Sequence, residues 1–305
     1  MSKLLLYRCS SKNSAGNLSS GKGGGNGQRL SPEQLFTELA LHIDKDNREP
    51  TALVSLTSSL ARAIQLAFMK SHNSKEKDDQ IVIAFIKSPP CKKRLFHHAE
   101  VLVRQAHDLG IRRFENEDPI LFRSEYLAEW EISPQMVTHT ITLKTLLYRY
   151  PDLKPDFRVS NTKILREMIT HKIFSDIEDL WDLRHQLGYF AVRFGARAPL
   201  QDISFDIFTD LVKPQIDDDT HCISYPVDLW YDWTKCLPLR IEDFFLVQDG
   251  IDHAVLDCWL LDEEFVWKVK QYETWVVDEN SELRDEEAIK QFREKVEREA
   301  IELGL

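Results

Sequence analysis

The sequence predicts an α+β fold in the first half of the chain and a mainly helical second half. Short apolar segments alternate with amphipathic ones up to about residue 148, and a proline-containing, charged stretch follows at 151–158 (PDLKPDFR). Beyond it the pattern is mainly helical to about residue 212, and six of the seven tryptophans lie between residues 181 and 275. We therefore predict two domains, residues 1–148 and residues 149–305.

The first half contains the pattern of several short strands. Strands are expected at 4–9, 53–56, 81–86, 124–130 and 136–143, the fourth being a strand or a turn; the segment 81–86 (IVIAFI) is the clearest, being β-branched, apolar and bounded by polar residues. Helices are expected at about 31–42, 58–71 and 96–109, the first of them opened by Ser31 as a cap and Pro32 in the first turn. Residues 10–29, rich in Ser, Gly and Asn, are predicted to form a flexible loop.

Charge and cysteine content exclude several classes of protein. Fifty acidic residues against 39 basic ones give a net charge of −11, which argues against broad nucleic-acid binding. The five scattered cysteines form neither a disulfide framework nor a zinc module, and we expect no metal at His97-His98. No apolar run approaches the length of a membrane span or a signal-peptide core, so we expect no membrane contact and a cytoplasmic or nuclear location.

Three short blocks carry the residues of chemical interest. They are residues 7–11 (YRCSS), residues 54–63 (VSLTSSLARA) and residues 123–134 (RSEYLAEWEISP). Taken singly, each has an ordinary explanation: a surface arginine at a strand end, hydroxyls that cap a helix, and a solvated glutamate. Their order, spacing and predicted secondary structure make the combination more specific than any one block.

Together the blocks resemble the Arg–Ser–Glu class of mono-ADP-ribosyltransferases, which includes the catalytic subunits of cholera and pertussis toxins. That family has Tyr-Arg-x-x-Ser first, then Val-Ser-Thr-Ser before a helix, then a catalytic glutamate followed by Ile-Pro. The resemblance covers roughly residues 4–145. Residues 41–59 (LHIDKDNREPTALVSLTSS) are also similar to uncharacterised fungal proteins with an ADP-ribosyltransferase-like block.

The resemblance implies a split, mixed β-sheet with NAD in the cleft between its halves. Glu125 would be the catalytic carboxylate, because cleavage of the nicotinamide–ribose bond passes through an oxocarbenium-like state that a carboxylate stabilises. Arg8 would contact the phosphates of NAD. Ser55 and Thr57 would orient Glu125 and the nicotinamide ribose, and His42 would contact a ribose or a phosphate.

Two residues depart from the family pattern. Leu56 replaces the central Thr of Ser-Thr-Ser, and we expect its side chain to point away from the pocket. Arg123 stands where relatives often have Glu or Gln on the acceptor side, and an arginine cannot act as a general base; it either binds a phosphate or an acidic partner, or pairs with Glu125 and quenches it.

Three functions are therefore compatible with the sequence. The first is transfer of ADP-ribose from NAD to an acceptor, which we expect to be a protein. The second is NAD glycohydrolysis, with water as the acceptor. The third is a catalytically degenerate module that docks a protein partner through the tryptophan-rich half, since a fold alone does not determine function.

Overall fold

The structure is a computed structural model that describes residues 5–14, 16–23, 28–44, 46–47, 49–87, 96–153, 162–174, 180–195, 198–212, 215–216 and 223–224. The chain divides into two compact units, Met1–Arg166 and Glu167–Leu305. The tryptophans between 230 and 275, on which the docking alternative depends, lie outside the described residues.

A six-stranded sheet forms the centre of the first unit. Its strands are β1 (Leu5–Ser11), β2 (Leu53–Thr57), β3 (Ile81–Lys87), β4 (Phe96–His98), β5 (Glu125–Glu129) and β6 (Val137–Thr142). Their spatial order is β4-β5-β2-β1-β3-β6, and each pairing is antiparallel. The prediction of an α+β fold is confirmed. The mixed sheet that the resemblance implied is not found in the described residues, where each strand runs antiparallel to its neighbours.

The sheet consists of two three-stranded halves joined at one point. β1 pairs with β3 along its whole length, from Leu5 opposite Lys87 to Ser11 opposite Ile81. β2 likewise pairs with β5 along the whole length of β2. Between β1 and β2, by contrast, the register holds one residue pair, Tyr7 opposite Thr57. Backbone groups along the rest of this seam need other partners, because buried peptide groups rarely remain unpaired.

Helices in the described part of this unit are α1 (Pro32–Ile43), α2 (Leu60–Asn73), α3 (Ala99–Asp108) and α4 (Leu143–Arg149), and a further helix begins near its end. Ser31 and Gln34 form a reciprocal capping box at the start of α1, and the Ser59 hydroxyl caps α2 by accepting from the Arg62 amide. The segment predicted as helix from residue 96 instead begins as a strand, because residues 96–98 pair with β5 before α3 starts.

Apolar side chains cover both faces of the sheet. One cluster joins Leu53 and Leu127 of the sheet to α1 and α3; its buried members are Leu35, Leu39, Leu53, Ala99, Leu102, Val103, Ala106, Phe114 and Leu127. The other contains Leu6, Val54, Leu56, Ala84, Ile86, Ala128, Ile132 and Met136. Because side chains alternate along a strand, Ser55 and Thr57 face the same side as Leu53, while Leu56 faces the opposite side.

The second unit is mainly helical in its described part. α5 (Thr162–Phe174) begins in the first unit and continues into the second, where α6 (Leu180–Val192) packs on α7 (Leu200–Val212). A short hairpin of β7 (Gln215–Ile216) and β8 (Ile223–Ser224) follows. No helix in the described part of the chain is long and apolar enough to cross a membrane.

The position of Leu56 predicts a clear effect on stability. Leu56→Ala should lower the free energy of unfolding by about 2–5 kcal/mol, since it removes a side chain that is 3% exposed within a packed cluster. Leu121→Ala is the matched control, because Leu121 is 60% exposed, and it should change stability by less than about 0.5 kcal/mol. Urea unfolding of both variants checks this, and equal losses would contradict the assignment of Leu56 to the core.

Candidate functional site

Arg8 closes the seam between the two halves of the sheet. Its Nη1 donates to the Ser55 carbonyl of β2 at 2.8 Å, its Nη2 donates to the Gly16 carbonyl at 2.8 Å, and its Nε donates to the Asn17 carbonyl. Burial lowers the pKa of Arg8 to about 10, so the guanidinium stays charged at neutral pH. One side chain thus ties β1 to β2 and to the loop that follows β1.

That loop is anchored in its described part, residues 16–23, although its composition predicted flexibility. A Cβ on Gly16 would lie 1.9 Å from the Ser19 carbonyl oxygen, so the backbone there comes closer than any other residue allows. Further along, the Ile132 amide donates to the Leu18 carbonyl at 2.7 Å and the Ser20 amide to the Trp130 carbonyl at 2.5 Å. Composition missed these anchors because they are backbone contacts with distant residues.

Ser55 lies at the centre of a polar chain. Its Oγ is 2.5 Å from Nε2 of His42 at the end of α1, and the Nδ1 of His42 is 2.8 Å from the Thr51 hydroxyl. On its other side the Ser55 side chain forms a hydrogen bond with the Glu125 carboxylate that favours the ionised form. The structure therefore brings together three of the predicted site residues, His42, Ser55 and Glu125.

Glu125 is the first residue of β5 and lies opposite Thr57 on β2. Burial raises the pKa of its carboxyl above the ordinary value, while the charge of Arg62 and the hydrogen bond from Ser55 act in the opposite direction. Because desolvation is the largest of these effects, the carboxylate is a stronger base than one in free solution.

The direction of the hydrogen bonds follows from the single proton of the Ser55 hydroxyl. If Ser55 donates to the carboxylate, Nε2 of His42 must be the donor to Ser55, and Nδ1 must accept from the Thr51 hydroxyl. We assign this tautomer from the network. It requires a neutral imidazole, consistent with burial and the nearby charge of Arg8 lowering the pKa of His42 to about 4. Each donor in the chain thus points towards Glu125.

The hydroxyl of Thr57 supports the turn between β2 and α2. Its Oγ1 accepts a hydrogen bond from the Ser59 amide at 3.1 Å, and its side chain is buried. Beside it, the Ser58 amide donates to the Ser124 carbonyl at 2.9 Å, which holds the start of β5 against this turn. Thr57 therefore fixes the backbone next to Glu125, while Leu56 points into the opposite core as predicted.

Arg123 is exposed and lies on the approach to β5. Within the described residues its guanidinium forms no ion pair with Glu125; the cation that acts on Glu125 is Arg62. The backbone carbonyl of Arg123 accepts a hydrogen bond from Nε2 of His98 at 2.8 Å, and this contact holds the backbone of Arg123 in place.

Several polar residues around the site were not singled out from the sequence. Arg62, on the first turn of α2, donates from Nη1 to the Gln65 side-chain oxygen at 2.7 Å and to the Thr162 hydroxyl at 3.3 Å. Arg166 donates from Nη2 to the Ser59 hydroxyl at 3.2 Å. One feature of the sequence could have drawn attention to Arg62: it is the only charged residue in the otherwise apolar first turn of α2, which contains no acidic residue.

Glu129, a second carboxylate of β5, forms contacts that hold neighbouring elements in place. Its Oε2 accepts from the Leu30 amide at 2.7 Å, and its Oε1 lies 2.7 Å from Nε2 of His97. Both oxygens thus hold the entry to α1 and the edge strand β4. In the part of the chain that the structure describes, no group of three His, Cys, Asp or Glu side chains is placed to hold a metal ion.

Comparison with known protein families bears on the first half of the chain. A family model described as a domain of unknown function, DUF7587, matches residues 1–146. This range contains β1 to β6 and each predicted site residue, whereas Thr162 and Arg166 lie beyond it. No curated protein and no solved structure matches the chain significantly.

The contacts of Arg8 predict that lysine cannot replace it. Arg8→Lys keeps the charge but has one ammonium in place of a planar fork that reaches three carbonyls, so it should lower the free energy of unfolding by about 1.5–3 kcal/mol. Arg104→Lys, at an exposed position on α3, is the control and should have almost no effect. Comparable stability of the two variants in urea would show that the fork is not needed.

The environment of His42 predicts acid sensitivity. Its folded-state pKa of about 4 lies below its unfolded value, so stability is full above about pH 6.5 and falls, by at most about 3 kcal/mol, as the pH drops towards 4. His42→Gln should reduce this loss, whereas His72→Gln, at an exposed position, should not. Urea midpoints measured from pH 7 to pH 4 test this, and parallel curves for all three proteins would contradict it.

Proposed function

We propose that the first unit cleaves the nicotinamide–ribose bond of NAD, as a mono-ADP-ribosyltransferase of the Arg–Ser–Glu class or as an NAD glycohydrolase. The observation that carries the proposal is the Glu125 carboxylate, opposite Thr57 at the end of β2, which is hydrogen-bonded by Ser55 with His42 behind it. The order of Arg8, Ser55 and Glu125 along β1, β2 and β5 further supports it.

The proposed step begins with departure of nicotinamide. The bond between C1′ of the ribose and the pyridinium nitrogen breaks, and its electron pair leaves with nicotinamide, which becomes neutral. Positive charge then develops on the ribose ring, and a carboxylate held against that ring stabilises it. Glu125 would take this role, with Ser55 keeping its carboxylate oriented and ionised.

The acceptor then attacks C1′ and must lose a proton. Arg123 cannot receive it, because a guanidinium has no acceptor site. Glu125 can receive it, since burial raises the pKa of its carboxyl and makes it the better base. With water as the acceptor the products are ADP-ribose and a proton; with a protein nucleophile the product is an ADP-ribosylated protein.

The non-catalytic alternative drew its support from Leu56 and Arg123. Leu56 packs in the core on the opposite face from Ser55, and Arg123 is exposed with no ion pair to Glu125 in the described structure. Neither residue therefore obstructs the carboxylate, and the catalytic proposal is the one that the geometry favours.

The test is nicotinamide release from NAD by the full chain and by Glu125→Gln. The amide has the shape of the carboxylate without its charge, so release should fall by at least about 100-fold. Thermal stability at pH 7 should be equal or higher, because the raised pKa of Glu125 means that its charged form destabilises the folded state, and this difference should vanish below about pH 4.5.

Glu131→Gln, two residues beyond β5 and exposed, is the matched control and should release nicotinamide at the wild-type rate. Unchanged release by Glu125→Gln would contradict the assignment of this carboxylate. Absence of release from the wild type together with absence of NAD binding at millimolar concentration would favour the non-catalytic binding module.

A further inference from the structure

We propose that Arg62 and Arg166 hold the diphosphate of a dinucleotide whose nicotinamide ribose lies against Glu125. The inference rests on the proposed function and adds to it the residues that recognise the phosphates. It differs from the expectation based on resemblance, which gave that role to Arg8.

Arg8 is engaged elsewhere. Three of its N–H donors point at the backbone carbonyls of Gly16, Asn17 and Ser55, each of which would lose its partner if the guanidinium turned towards a ligand. A diphosphate is best bound by planar guanidinium groups that present parallel donors. The phosphates of a bound dinucleotide therefore need cations other than Arg8.

Arg62 lies in a suitable place for the first of these cations. It is exposed on the first turn of α2, and its charge acts on the Glu125 carboxylate. In a nucleotide the phosphate is attached to the same ribose that the carboxylate would contact, so a cation close to Glu125 is within reach of that phosphate. The buried Gln65 side chain accepts from Nη1 and fixes the direction of the guanidinium.

Arg166 brings a second guanidinium to the same turn. Its Nη2 donates to the Ser59 hydroxyl, which also caps the Arg62 amide. One helical turn earlier on α5, the Thr162 hydroxyl accepts from Arg62. Two guanidinium groups at one turn match the two phosphates of a diphosphate, since each can present parallel donors to one phosphate.

The two arginines come from different parts of the chain. Arg62 lies within residues 1–146, which the family model matches, whereas Thr162 and Arg166 follow that range. The start of α5 thus completes a site whose remaining residues belong to the matched domain. We therefore expect residues beyond 146 to contribute to the affinity of this protein for the diphosphate.

The test measures binding of inorganic pyrophosphate and of ADP-ribose to the full chain by calorimetry. Arg62→Gln and Arg166→Gln should each weaken both ligands by about 10- to 100-fold, the effect of losing a charge-assisted hydrogen bond. Arg62→Lys should lie between Arg62→Gln and the wild type, since it restores charge without the fork. Arg113→Gln, an exposed arginine outside this cluster, is the matched control and should bind within about two-fold of the wild type.

The outcomes of this test distinguish the diphosphate site from the proposed cleavage of NAD. Loss of ADP-ribose binding in both variants, with thermal stability retained, supports the diphosphate site even if the wild type releases no nicotinamide. Wild-type affinity in Arg62→Gln and Arg166→Gln overturns it, and so does absence of pyrophosphate and ADP-ribose binding by the wild type. Nicotinamide release that depends on Glu125 would leave the proposed function intact in either of those cases.

Discussion

The Arg8 guanidinium is the interaction on which the rest of the first unit depends. The two halves of the sheet share a single registered pair, Tyr7 opposite Thr57, so the backbone ladder cannot by itself hold them in place. Arg8 substitutes for the missing ladder by donating to the Ser55 carbonyl of β2 and to two carbonyls of the following loop. A charged donor inside a partly buried seam forms stronger hydrogen bonds than a backbone amide would. A side chain thus joins the two halves of the sheet where the backbone hydrogen-bond ladder is missing.

Polar residues accumulate near this seam, on β2 and on its other neighbour β5. Where two strands are fully paired, their side chains are packed against neighbours, and Leu53 and Leu127 show this a few residues from the site. Towards the end of β2 the same face carries Ser55, Thr57 and, opposite Thr57 on β5, Glu125 instead. Each of them is provided with partners, from α1 through His42 and from the turn into α2 through the Ser59 amide. The site therefore depends on contacts between several elements rather than on any one of them.

The sequence predicted the local elements well and the long-range contacts poorly. Strands such as β3 and helices such as α1 follow from periodicity and capping, which are properties of neighbouring residues. Glu125 and Ser55 followed from the order of short motifs. Arg166 could not be predicted, because it reaches Ser59 across 107 positions of the chain. The anchoring of Gly16 escaped for the same reason: composition reports the flexibility of an isolated segment, while distant carbonyls and amides decide whether it is fixed.

Within the described residues, Glu125 is hydrogen-bonded by Ser55 and forms no direct ion pair. A tight pair with an arginine would keep the carboxylate ionised, but it would also neutralise the charge that a developing cation needs. Burial without hydrogen-bond donors would favour the protonated form of the Glu125 carboxyl group. The hydroxyl of Ser55, itself held by neutral His42, favours the ionised form while leaving the net charge in place, and the exposed Arg62 acts at longer range. A carboxylate balanced between burial and neutral donors is the arrangement that the proposed stabilisation of a cationic sugar requires, and a neutral imidazole behind Ser55, rather than a charged one, is consistent with it.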